Sequence, residues 1–184
     1  MGGVKLCRRT HDKQLGVQIP YSGWRRKEIL AARGDNLCEA ADRLRTLPQH
    51  WTRKAPMVGT ARLPQLLFGC ENDPPTKATV KRARNAVERA LFGDSNRMRA
   101  KEIVFTVVLK GGRHDPEQAI PLETCAVLIR MLRKRGQLRE RYQRIWQHHQ
   151  DAGTAVPRTR GPVAHLRAII KDWGWTWDSP YVLR

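Results

Sequence analysis

Three carboxylates, Asp35, Glu39 and Asp42, recur at the spacing i, i+4, i+7, which places them on one face of a helix. Such a face can hold a divalent cation, because hard cations prefer carboxylate oxygens as ligands. Arg43 and Arg45 lie beside these carboxylates in the sequence and would neutralise them. The pattern therefore favours a solvated helix face of mixed charge over a metal site. We expect neither a metal nor another cofactor.

Other residue patterns that carry chemistry are missing from the sequence. The cysteines at positions 7, 38, 70 and 125 include no Cys-x-x-Cys pair, so a zinc ribbon or finger is excluded. No Gly-x-Gly-x-x-Gly, Gly-Lys or Gly-x-Ser-x-Gly motif occurs, and no two acidic residues are adjacent. We therefore expect a protein that is not an enzyme.

Targeting and membrane signals are also missing. No apolar run approaches the roughly 20 residues that span a bilayer, and the N-terminus lacks the apolar stretch of a signal peptide. We expect an intracellular protein, nuclear or cytoplasmic, with reduced thiols and no membrane contact.

Positive charge is the strongest chemical signal of the chain. Its 184 residues include 35 Lys and Arg against 17 Asp and Glu, a formal charge of +18. Arginine predominates, with 25 Arg and 10 Lys, and its planar guanidinium matches phosphate geometry. An Arg-rich composition is equally typical of GC-rich coding. Composition thus indicates a polyanionic partner and leaves DNA, RNA and acidic protein open.

The charge is concentrated in two regions that are predicted to be helical. Residues 73–100 carry seven basic and three acidic residues, and residues 121–150 carry seven and two, whereas 101–120 are neutral. Within residues 121–150, two predicted helices joined by a Gly turn can present their cations as one surface that follows a phosphate backbone. The alternative is an ordinary solvated basic face. The candidate nucleic-acid-binding residues are Lys77, Lys81, Arg82, Arg84, Arg130, Arg133, Lys134, Arg135, Arg139, Arg141 and Arg144.

Three tryptophans, Trp173, Trp175 and Trp177, alternate near the C-terminus. In a strand they would share one face, and that face could stack unpaired bases. No basic residue is interleaved with them, which favours an apolar plug that anchors the chain end against the last helix.

Hydrophobic periodicity predicts a mainly α-helical bundle with a short N-terminal β-element and a small C-terminal helix followed by a Trp-rich extended segment. The ambiguous apolar run 103–109 is assigned to a helix. The predicted strand is 15–19. The predicted helices are 25–46, 51–68 with breaks at its prolines, a helix that begins within 73–76 with Asp73 or Thr76 as its cap and ends at 92–93, 103–109, 121–135, 138–150 and 163–172.

Two short segments carry a family resemblance. Lys13-Gln-Leu-Gly-Val-Gln-Ile19 resembles the Lys-x-Leu-Gly-Val strand that follows the catalytic palm of non-LTR (LINE-type) retrotransposon reverse transcriptases. Arg62-Leu-Pro-Gln-Leu-Leu-Phe-Gly-Cys-Glu71 resembles the leucine-proline-x-leucine-leucine-tyrosine-glycine-x-glutamate segment of the helical thumb, with Phe68 in place of the usual Tyr. Their order and spacing match the family, and the resemblance is specific over residues 13–71.

The resemblance implies a thumb-like fragment that grips RNA or DNA through its phosphate backbone. The aspartate pair that holds the family's catalytic metal ions would lie upstream of residue 1, so the resemblance implies no catalysis. The sequence divides into three parts: 1–93 with the short strand and the thumb-like helical region, 94–150 as a basic helical region, and 151–184 as a linker and C-terminal helix with a Trp-rich end. The residues themselves leave two alternatives, a small basic assembly protein that binds an acidic protein or ribonucleoprotein, and a translated relic.

Overall fold

The computed structural model describes residues 11–14, 17–20, 28–72, 74–94, 99–109, 113–151 and 162–175. Over these residues the chain is mainly helical, as predicted. The N-terminal part contains the strands β1 (His11–Gln14) and β2 (Val17–Pro20), which pair antiparallel with Gln14 opposite Val17. The strand predicted over 15–19 shares residues 17–19 with β2, and residues 15 and 16 lie outside the described part of the chain.

Ten helical segments follow the hairpin. They are α1 (Glu28–Arg45), α2 (Trp51–Met57), a first π-helical segment (Val58–Arg62), α3 (Leu63–Leu67), α4 (Lys77–Phe92), α5 (Lys101–Ile103), a second π-helical segment (Val104–Val108), α6 (Pro116–Lys134), α7 (Gln137–Asp151) and α8 (Pro162–Asp172) among the described residues.

Two prolines widen the helical run 51–67 without ending it. Pro56 lies inside α2, and Pro64 lies in the first turn of α3. Between them Leu63 N–H donates to the carbonyl of Val58, five residues back, which defines the π-helical turn. Proline has no N–H to donate, and the start of a helix is where that loss costs least. The predicted break is thus a local widening of the helix.

Side-chain caps determine where α4 and α6 begin. Thr76 Oγ1 accepts a hydrogen bond from Thr79 N–H at 3.1 Å, and Gly93, with φ 75°, ends α4. Asp115 Oδ1 accepts from Glu117 N–H at 3.0 Å. The prediction that this second helix begins at residue 121 was wrong, because the Asp115 cap starts α6 at Pro116 and leaves Pro121 inside the helix.

Among the described residues the helices pack around two main apolar cores that share α6, and a minor cluster of Ala41, Ala86 and Ala90 lies between α1 and α4. The larger core combines α1 to α4 with the buried Phe105 and with Ala119 from the first turns of α6. The smaller core contains Leu128 and Leu132 of α6, Trp146 of α7 and Leu166 of α8. Because α6 contributes to both, it holds α7 and α8 in place beside the larger core.

Helices α1 and α4 approach closely at Gly34. A Cβ atom at this position would lie 2.5 Å from Thr79 Cγ2 of α4, which is closer than van der Waals contact allows. Glycine therefore permits the close approach that brings the charged faces of these two helices together.

Candidate nucleic-acid interface

Arg84 lies inside the fold. Its side chain is 13% exposed, and Nη2 lies 2.9 Å from Oδ2 of Asp115, which is fully buried. Nη1 contacts the carboxylates of Glu117 and Glu102, and the guanidinium carbon lies 5.3 Å from the centroid of the Phe105 ring. Burial raises the pKa of Asp115, and the charge of Arg84 opposes that shift. Arg84 is therefore engaged in joining α4 to the start of α6.

Three further candidate residues also have protein partners. Arg82 forms an ion pair with Asp35 of α1, and Arg130 forms one with Glu123 of its own helix. Arg139 Nε donates to the carbonyl of Leu132 at 3.1 Å and so caps the end of α6. The sequence predicts these three arginines on solvated basic faces. In the structure two are neutralised by carboxylates and the third donates a hydrogen bond to the backbone.

The other seven candidate residues are exposed to solvent. Within the described part of the chain, the structure records no ion pair for any of them. Lys77 and Lys81 lie on α4. The remaining five lie at the end of α6, in the turn and on α7, and we call them the α6–α7 basic surface: Arg133, Lys134, Arg135, Arg141 and Arg144.

A tight turn and the smaller core position the α6–α7 basic surface. Leu138 N–H donates to the carbonyl of Arg135, and Arg139 N–H donates to that of Gly136, both at 3.0 Å. Trp146 is 2% exposed and anchors α7 in the core, with the Arg167 guanidinium 5.7 Å from its ring centroid. The basic side chains thus project from a backbone that packing and hydrogen bonds hold in place.

The three carboxylates of α1 form a charge-mixed face. Asp35 pairs with Arg82, and Glu39 accepts from Arg43 at 2.6 Å. Among the described residues no group of three or more His, Cys, Asp or Glu side chains comes together as a metal site. Ion pairing therefore accounts for the two carboxylates Asp35 and Glu39.

A groove that the sequence analysis missed lies between α6 and the α3 segment with its following turn. Its volume is about 1150 Å³, and the apolar side chains that line it include Leu67, Phe68, Leu122 and Met131. Leu122 and Met131 of α6 lie outside the stripe Cys125, Leu128, Ile129 and Leu132, which helical periodicity assigns to the core. Exposed apolar residues on a helix are recognisable only once the buried face is known.

Two of the three tryptophans that are predicted to form a plug, Trp173 and Trp175, lie within the described residues. Trp173 and Trp175 are 37% and 53% exposed, and their ring centroids lie 4.9 Å apart in an edge-to-face pair. Gly174, with φ 69°, ends α8 in a turn in which Trp175 N–H donates to the carbonyl of Ile170. Helix termination, and not strand alternation, brings these two rings together, while residue 177 lies outside the described chain.

Comparison with protein-family models, with curated proteins and with solved structures finds no match to this chain. In the described part of the chain, no helix has both the length and the apolar character needed to cross a membrane. Function is therefore inferred from the residues and their geometry.

Proposed function

We propose that this protein binds RNA or DNA through the phosphate backbone and carries out no chemistry of its own. The α6–α7 basic surface supports this function, because five exposed cations lie together without carboxylate partners among the described residues. Cations arranged in this way release condensed counterions when they neutralise phosphates, which favours binding to any sequence.

Helix electrostatics explains only part of this cluster. Arg133 and Lys134 lie in the last turn of α6, where the macrodipole favours cations. Arg141 and Arg144 lie beyond the first turn of α7 and far from its last, where the macrodipole gives cations no stabilisation. An excess of this kind is typical of a surface that binds a polyanion.

The reverse-transcriptase resemblance supports the same class of ligand. Its second segment, residues 62–71, forms the end of the first π-helical segment, α3 and the following turn. There Leu63 and Leu66 are buried, and the buried Cys70 lies against Ile120 and Thr124 of α6. We propose that the thumb-like segment supports α6, from whose far end the basic surface projects.

The test is the salt dependence of binding to labelled single-stranded RNA, double-stranded RNA and double-stranded DNA, measured by fluorescence anisotropy. The test variant replaces three cations of the basic surface by glutamine: Arg133→Gln, Lys134→Gln and Arg135→Gln. We expect the slope of log K against log salt to become shallower by about 2 to 3, since each lost phosphate contact removes roughly 0.7 to 0.9.

The matched control removes the same charge elsewhere. It replaces three exposed arginines of α2, the first π-helical segment and α4: Arg53→Gln, Arg62→Gln and Arg89→Gln. We expect its slope to stay close to that of the parent protein. Equal weakening in both variants would show that only net charge matters, and a flat salt response of the parent protein would exclude backbone binding.

A further inference from the structure

The groove between α3 and α6 exposes apolar side chains that contribute to neither core. Phe68, Leu122 and Met131 are 51%, 49% and 37% exposed, and all three line the groove. From Leu122 to Met131 the α6 wall is about 13 Å long, which equals two to three helical turns. These side chains give a partner an apolar surface to contact along the groove.

Arg33 holds Phe68 in its outward position. The Arg33 guanidinium carbon lies 5.3 Å from the centroid of the Phe68 ring, and Nη1 donates to the Phe68 carbonyl. Gly69, with φ 82°, turns the chain immediately after Phe68 and directs Cys70 into the core. The groove wall is thus preorganised, so that a partner need not order it on binding.

The rim of the groove is positive. Arg113, Arg130, Lys134 and Arg135 line it together with two carboxylates, Glu71 and Glu123, and Arg130 is already paired with Glu123. Lys134 and Arg135 have no ion-pair partner among the described residues and stand at one end of the groove. A ligand that complements both the apolar side chains and the basic rim of the groove combines an apolar stripe with acidic residues.

We propose that this groove docks an acidic amphipathic helix of a partner protein, which would share Lys134 and Arg135 with the nucleic-acid surface proposed above. A helix with apolar residues at i, i+3, i+4 and i+7 matches a groove two to three turns long, and its acidic flanks would face Lys134 and Arg135. Nucleic acid fits the apolar part of the groove less well, because base stacking needs several aromatic side chains. Among the described residues that line the groove, Phe68 is the only aromatic one.

The probe is a fluorescein-labelled helical peptide with leucines at i, i+3, i+4 and i+7 and glutamates on its other face. Its control is a peptide of the same composition, scrambled so that no apolar face forms. In anisotropy titrations without nucleic acid, we expect the amphipathic peptide to bind at least about tenfold more tightly than the scrambled one. Equal binding of the two peptides would overturn the proposal.

Groove variants locate the site. We expect Leu122→Glu and Met131→Glu each to weaken peptide binding by about tenfold, because an unpaired charge would be buried in the contact. Val107→Glu adds the same charge at a residue that is 67% exposed and outside the groove lining, and it should change binding less than about twofold. Leu122→Ala, which adds no charge, should still weaken binding severalfold.

Two results would contradict the proposal. The first is equal weakening of peptide binding by the groove variants and by Val107→Glu, which would mean that the attraction is only electrostatic. If instead Leu122→Ala weakens RNA or DNA binding and leaves the peptide unaffected, the groove belongs to the nucleic-acid site. Because Leu122 and Met131 are exposed, these variants should keep the far-ultraviolet circular dichroism of the parent protein.

Discussion

Arg84 Nη2 lies 2.9 Å from Oδ2 of Asp115, across the contact between α4 and the start of α6. Asp115 also caps the N-terminus of α6, so a single carboxylate begins one helix and holds the arginine of another. The arginine belongs by sequence to the basic face of α4, yet its charge serves the interior of the protein. Substitution of Arg84 should therefore change the stability of the protein, whereas substitution of exposed arginines of the α6–α7 basic surface should change binding.

Replacing Arg84 should destabilise the fold. We expect Arg84→Met to lower the free energy of unfolding by about 3 to 5 kcal/mol, because it leaves the buried Asp115 carboxylate without its cation. Arg89→Met, on the exposed face of the same helix, should change it by less than about 0.5 kcal/mol. Denaturant titration measures both. An Arg84→Met protein that is fully stable but has lost RNA and DNA binding would contradict this role.

The close approach of α1 and α4 should make Gly34 sensitive to a single added methyl group. Alanine in a helix interior is favoured over glycine by about 1 kcal/mol, whereas the clash with Thr79 Cγ2 should cost about 1 to 3 kcal/mol. We therefore expect Gly34→Ala to lose up to about 2 kcal/mol of stability in total. Thr79→Ser removes that methyl group and keeps the hydroxyl that contacts Thr76.

The double variant tests the contact directly. Gly34→Ala combined with Thr79→Ser should recover most of the lost stability, which a double-mutant cycle of denaturant titrations would record as a coupling energy. If Gly34→Ala is more stable than the parent protein, the helices do not approach as closely as the structure shows.

His114 should make stability depend on pH below neutrality. Burial lowers the pKa of His114 from its ordinary value of 6.5. As the pH falls, the unfolded chain binds this proton before the folded chain does. The stabilisation is therefore complete above pH 6.5 and is lost progressively below it, down to the folded-state pKa.

The pH effect is measured as the difference between two proteins. We expect the stability of the parent protein relative to His114→Gln to fall between about pH 7 and pH 5, where histidine titrates and most other groups do not. Thermal melting across this range gives the difference. A constant difference would exclude proton linkage at this residue.

Cys70 should be the slowest of the described cysteines to react with alkylating reagents. Burial raises the pKa of its thiol to about 12, and its side chain is 0% exposed, whereas Cys38 is partly exposed. Only the thiolate reacts, so both access and charge protect Cys70. Mass spectrometry of iodoacetamide-treated protein should show Cys38 and Cys125 modified before Cys70, which should react only under unfolding conditions. Equal rates for Cys70 in native and denatured protein would contradict this packing.

Local features of the sequence were sufficient to predict most of the helices. The apolar stripe Val80, Ala83, Val87 and Leu91 predicted α4, and Gly93 predicted its end, as the structure confirms. The segment 73–76 predicted its start with either Asp73 or Thr76 as the cap, and Thr76 is the residue that caps the helix. These signals act within one or two turns of chain, so they can be found without knowledge of the fold. Where two local signals compete, as Pro116 and Pro121 do at the start of α6, the cap at Asp115 decided the outcome.

Periodicity and charge along the chain were sufficient to predict a helical, strongly basic protein and the two regions that hold its cations, because both are properties of neighbouring residues. Which of those cations remain open to a ligand depends on the folded arrangement of the helices. Arg84 meets Asp115 and Arg82 meets Asp35 across 31 and 47 residues of chain, respectively, whereas Arg133 and Arg144 meet no carboxylate among the described residues. An ion pair depends on distance in space, and folding alone sets that distance.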